Sequence, residues 1–230
     1  MKKTSFEVAI LLAAGMASMA FADDAKKTAD AKGEKPKASP GWVVIEEGWW
    51  YPFLYDFSTA LHKTRAYYRA QEEKSAGAEL DKAISWLKFA QGHADKSTAE
   101  DLSTASADLM DFSASLKSGK PVLAKKLDAA FIHASVALAR HHHFQSGKAL
   151  GKAELKTAGR HLLAASDLLR SAVQSANLEY GSEVVHIYDH YAPHGYWDDT
   201  IVFEKSKLEA DLTTVKTELE KLAAKLKANR

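Results

Sequence analysis

From about residue 53 onward, apolar side chains in this chain return every three to four positions, the period of a helix that buries one face. The pattern predicts six helices, over 53–75, 78–93, 98–117, 121–145 and 153–177, with a sixth closing the chain. In the third, Leu102, Leu109, Phe112 and Leu116 form one stripe, and Gly119 and Pro121 then mark a stop and a restart. The helical period lapses over 178–203, which reads as a non-helical insertion rich in aromatic residues and histidine.

Two helices stand apart from the simple amphipathic case. In the fourth, Leu123, Leu127, Ala130, Ala134, Leu138 and His141 fall on one face, with Ile132, Val136, Ala139 and His143 on the opposite one. A helix apolar on both sides belongs at the centre of its fold. In the sixth, Leu208, Leu212, Val215, Leu219, Leu222 and Leu226 alternate intervals of four and three, a narrow seam like that of a coiled coil. That seam either packs onto the chain's own helices or joins two copies through 208–226.

An internal echo links the halves. Ala78-Glu79-Leu80, Ala83, Leu87 and Ala90 match Ala153-Glu154-Leu155, Ala158, Leu162 and Ala165 at an offset of 75 residues, which Arg65 and Arg140 also obey. The expected fold is therefore all-α: a five- or six-helix bundle, or a short array of helical-hairpin repeats made of two three-helix units.

The N-terminal region follows other rules. Lys2 and Lys3 precede an apolar run over 8–19, then Ala20-Phe21-Ala22 and the acidic Asp23-Asp24, the layout of a secretory signal over 1–22 with Glu7 as an unusual charge inside it. The run is too short to span a bilayer stably, and no later stretch approaches the roughly 20 apolar residues that spanning needs. The expected location is exported, either periplasmic or extracellular. Residues 23–40 lack the apolar side chains to offset their ordering entropy and read as a disordered linker. A single domain is expected over 41–230. It opens with an aromatic segment, in which Val43, Val44 and Ile45 have the character to pair as a very short strand with Val184-Val185 or Ile201-Val202. Together with the insertion this segment would form an aromatic, non-helical cap. Trp42, Trp49, Trp50, Tyr188, Tyr191 and Trp197 are then either plain core or a surface for a ligand or protein partner.

Composition removes several classes of function. Without Lys2, Lys3 and Glu7 the chain carries 29 basic and 29 acidic residues, so it lacks the electrostatic footprint of a nucleic-acid binder. There is no cysteine, hence no disulfide framework, thiolate metal site or covalent haem attachment. No phosphate-binding glycine loop, dinucleotide fingerprint, Gly-x-Ser-x-Gly or His-Glu-x-x-His occurs, and an enzyme is the least favoured class.

The densest candidate chemistry lies in the insertion. His186, His190 and His194 are spaced by four, which brings the first two together in a helix or a strand, while Pro193 complicates the third. Glu183 and Asp189 are nearby carboxylate ligands or supports, as are Asp198 and Asp199. Imidazole with carboxylate suits Zn or Cu(II), and also Ni or Fe. Such a site empties as pH falls through about 6, because protonated imidazole cannot ligate. The alternative is a set of half-buried aromatics sealing the helices. His141 and His142 are weaker metal candidates, because the run His141-His142-His143 fans around its helix and cannot chelate one ion together. His62, His93, His133 and His161 are isolated and read as structural.

These features point to a non-enzymatic exported binding or interaction protein with a His/carboxylate site for a divalent metal. The alternative is a metal-free envelope scaffold or stress-related protein acting through protein contacts.

Overall fold

The computed structural model describes residues 53–179, 181–191 and 202–228, and every element among them is an α-helix: α1 (Phe53–Arg69), α2 (Glu73–Gln91), α3 (Lys96–Lys117), α4 (Ala124–Gly151), α5 (Leu155–Ser175), α6 (Ser182–Tyr191) and α7 (Lys205–Ala228). The expected signal, linker and aromatic segment, with Trp42, Trp49 and Trp50, lie outside the described residues. So do His194, Trp197 and residues 43–45, while Val184-Val185, one of the strand partners expected for 43–45, is helical instead. Among the described residues, no helix is long and apolar enough to cross a membrane.

The helix ends share one device. After α1, α3, α4 and α5 the chain turns through a left-handed residue: Gln71 (φ 62°), Gly119 (φ 70°), Ala153 (φ 61°) and Asn177 (φ 52°). The next N–H bonds the carbonyl five residues back: Glu72 to Tyr67, Lys120 to Ser115, Glu154 to Ala149 and Leu178 to Val173, at 2.9, 2.9, 3.0 and 3.0 Å. This closure satisfies carbonyls that a helix end leaves open. α3 begins on a side-chain cap instead: the Asp95 carboxylate accepts from the N–H groups of Ser97 and Thr98, at 3.0 and 3.2 Å, and from Thr98 Oγ1 at 2.6 Å.

Several predicted boundaries are corrected. The single helix expected over 53–75 is broken at Gln71, where no glycine announces the turn. Gly77, which falls in the expected gap between 75 and 78, lies inside α2, where α3 crosses it closely. A Cβ there would stand 2.8 Å from Lys117 Cγ and 3.1 Å from the Ser113 carbonyl. The fourth helix runs on to Gly151, past the expected stop at 145. The insertion is not wholly non-helical, since α6 occupies 182–191.

α4 is central, as its two apolar faces required. Leu127, Ala130, Ala134 and Leu138 are buried on one side, Ile132, Val136 and Ala139 on the other. It packs most extensively on α5 and also on α3, α7 and α2. Leu123 departs from the pattern, because it is the exposed N-cap. α7 lays Leu208, Leu212, Val215, Leu219 and Leu222 against α4 and α5, so this seam is buried within the chain. Truncating any one of these buried leucines to Ala costs about 2–5 kcal/mol.

The echo between halves has a structural register different from the one read in sequence. The left-handed turn residues Gln71 and Ala153 are 82 positions apart. At that offset Ala76-Gly77 meets Ala158-Gly159, and Leu80, Ala83, Leu87 and Ala90 meet Leu162, Ala165, Leu169 and Ala172, all of them buried. The two offsets differ by seven residues, about two helical turns, a slip that leaves every buried face in register.

Candidate functional site

α6 is short and is held by one face. The Gly181 carbonyl accepts from Val184 N and Val185 N at its start, at 3.1 and 3.2 Å. Val184, Ile187 and Tyr191 then point inward and are buried, and the helix packs on α5 and α7. Polar anchors fix it further. Tyr191 Oη donates to Asp211 Oδ2 of α7 at 2.8 Å, with Lys207 Nζ 3.6 Å from the same oxygen. The Tyr191 ring stacks on Phe203 with centroids 5.6 Å apart, and the Arg170 guanidinium of α5 lies 3.9 Å above the Tyr188 ring. Burial, then the Asp211 hydrogen bond and charge, push the Tyr191 phenol up. Tyr188 and Tyr191 therefore work as packing and anchoring groups.

The same period that turns Val184, Ile187 and Tyr191 inward turns Glu183, His186 and His190 outward. All three are exposed, within about 60° of one another around the helix. His186 and His190 are one turn apart, with Glu183 one turn before His186. Asp189 is exposed too, about 100° round from His190. His190 rests edge-on against the Tyr191 ring at 4.7 Å, so the buried face steadies a member of the exposed one. Among the described residues, no three His, Asp or Glu side chains are placed to hold a metal ion together.

His142 occupies a different place, the interface of α4 with α5, and His141 lies beside it toward His93 and Asp95. His142 Nδ1 is 2.9 Å from His161 Nδ1, and the His142 ring lies 5.2 Å from the rings of both His141 and His161. The expected fan of the His run is visible. His141 and His142 turn into the interior, whereas His143 Nε2 donates to the Leu212 carbonyl of α7 at 3.0 Å. Burial depresses the interior rings. His141 falls to about 4, helped by His93 and Lys148 and opposed by Asp95. His161 falls to about 3 and His142 well below its ordinary value, with neighbouring imidazoles adding to the burial effect. All three rings are neutral at pH 7. His141 and His142 are thus core groups, separate from α6. The pairing of His142 with His161 was not foreseen, since the two lie 19 residues apart on different helices.

An open groove of about 740 Å³ runs between the start of α3, α4 and α7. Its wall mixes Arg140, Lys148 and Lys216 with Asp95 and Glu220 and selects no sign of charge.

No family model matches this chain, and no curated protein sequence or solved structure shows significant similarity to it.

Proposed function

We propose that this chain is an exported, non-enzymatic helical binding protein whose site is a surface chelate for a divalent transition metal on α6. The observation that carries this reading is the placement of His186 and His190 one turn apart on the exposed face of a helix whose other face is anchored. Side chains four apart on a helix stand about 5–6 Å from each other at Cβ, within reach of one ion. Neutral imidazole suits Zn and Cu(II), and the Glu183 carboxylate one turn before His186 adds negative charge on the same face without completing a three-ligand set. His194 continues the spacing of four in sequence. The N-terminal layout of basic, apolar and small residues supports export.

The test is Zn and Cu(II) titration calorimetry on untagged protein, beside H186A/H190A. The expected result is one site in the wild type and affinity lower by 100-fold or more in the double variant. Equal affinities in the two proteins would overturn the proposal. So would a wild type that refuses both metals, an outcome that leaves the metal-free scaffold as the working reading.

A further inference from the structure

The imidazoles of the α4–α5 interface take no part in the chelate on α6, and their geometry limits the protons they can hold. With Nδ1 of His142 and Nδ1 of His161 2.9 Å apart, one must donate and the other accept. Protonating both rings would set N–H against N–H. His141 packs edge-on against His142 in the same layer. All three side chains are buried, at 2%, 0% and 5% exposure for His141, His142 and His161.

The charged and titratable groups acting on the layer come from each neighbouring element. His93 at the end of α2 and Lys148 along α4 oppose a proton on His141, and Asp95 at the cap of α3 favours it. On His142 the opposing groups are His161 of α5 and His141. From α7, Lys216 and Glu220 act on His143, outside the layer. Asp95 is already committed as acceptor to Ser97 and Thr98.

We propose that His141, His142 and His161 form an acid-operated latch, which in acidic surroundings releases α5 from the C-terminal half of α4 while α2 and α3 stay paired. α2 and α3 stay paired because their contact holds no imidazole and is dominated by buried leucines. Leu80, Leu87, Leu102 and Leu109 are fully buried in those helices, and Ser113 Oγ shares its one proton between Asp81 Oδ1 at 2.6 Å and the Gly77 carbonyl at 3.0 Å. Among the described residues of α2 and α3 there is no buried imidazole. An exported chain meets the pH of its surroundings directly, which gives the latch a stimulus.

The sign follows from the depressed values of the three rings. A histidine whose folded value lies below 6.5 stabilises the closed state fully above pH 6.5, and this stability is lost as pH falls toward the folded value. Within that window each pH unit raises the opening constant about tenfold for every imidazole that gains a proton on opening. From pH 6.5, where an opened ring is already half protonated, to pH 4.5 this amounts to about 50-fold for one ring and about 2,500-fold for two.

Hydrogen exchange on the full chain at pH 6.5, 5.5 and 4.5, corrected for intrinsic rates, reads the opening by segment. Residues 138–151 and 155–175 are expected to lose protection by about 2,500-fold, the factor for the His142–His161 pair, and residues 73–117 by less than tenfold. In H161Q the loss over 155–175 should shrink by about 50-fold. Simultaneous loss in 73–117 would overturn the latch, as would an unchanged pH dependence in H161Q. Should H161Q fail to fold, the ring protons of the wild type decide. Imidazoles that stay neutral until 155–175 opens support the latch, and rings that titrate near pH 6.5 while that segment is protected overturn it.

Discussion

Phe203 lies over Gly159 so closely that a Cβ built on the glycine would stand 2.1 Å from Cε1 of the ring. The absent side chain is therefore what lets the segment before α7 return onto α5, and Phe203 in turn carries the Tyr191 ring of α6. Gly159→Ala should displace the phenyl group and cost about 1–3 kcal/mol, as overpacking does. Gly147 provides the contrast, because nothing lies within 4 Å of its would-be Cβ and it is exposed within α4. Gly147→Ala should stabilise by about 0.5–1 kcal/mol through helix preference. Urea denaturation of both variants reads the opposite signs.

Tyr191 Oη supplies a hydrogen bond to a carboxylate that is only 9% exposed, that of Asp211. Tyr191→Phe leaves Oδ2 with Lys207 at 3.6 Å and should cost about 1–3 kcal/mol near neutral pH. The phenol value is raised on folding, so its contribution is complete below the unfolded value of 10.0 and is lost as pH rises above it. The stability difference between wild type and variant should therefore narrow by up to about 1.4 kcal/mol per pH unit above 10. A constant difference from pH 8 to 11 would contradict the anchoring role.

The all-α class, the central place of α4 and the buried seam of α7 were legible in sequence, because burial imposes its period wherever a helix packs. Boundaries were less legible. The turn at Gln71 carries no glycine, and Gly77 marks a close helix crossing that looks like punctuation. α6 was missed because ten residues rich in His, Tyr and Asp, placed after Gly181, give little helical signal. In the candidate site, a spacing of four placed His186 and His190 together in any regular conformation. That the pair faces outward became visible only with the buried partners of Val184, Ile187 and Tyr191. The His142–His161 contact depends on two helices meeting and left no local trace beyond the two-sided burial of α4.

Arg65 ties α1 to two other helices at once. Its Nε donates to Asp128 Oδ1 at 2.9 Å and its Nη2 to Ser175 Oγ at 3.2 Å, while its guanidinium lies 4.7 Å from the centroid of Phe131. At 18% side-chain exposure it is partly screened from water, although Asp128 is 47% exposed. Arg65→Ala should cost about 1–2 kcal/mol. Arg65→Lys should recover less than half of that, since an ammonium cannot stack on the ring and reach both oxygens. Arg140, paired with Asp101 where both side chains are over a third exposed, should lose under about 1 kcal/mol on replacement by Ala. Thermal melts of the three variants give the ranking, and equal losses at Arg65 and Arg140 would refute it.

The left-handed turns make glycine substitution informative in sign. Ala153 holds φ at 61° after α4, where a Cβ crowds the backbone at a cost of about 1–2 kcal/mol. Glycine removes that strain but adds about 0.5–1 kcal/mol of unfolded-state entropy to be lost. Ala153→Gly should therefore stabilise by about 0.5–1 kcal/mol, the reverse of the usual effect of this substitution in a helical protein. Gly119→Ala, at φ 70° after α3, should destabilise by a similar amount even though no atom lies within 4 Å of the new Cβ. The conformation of one residue sets both effects, so the two substitutions should add when combined and nearly cancel in the denaturation midpoint. A destabilised Ala153→Gly would show that α4 does not end in this turn in solution.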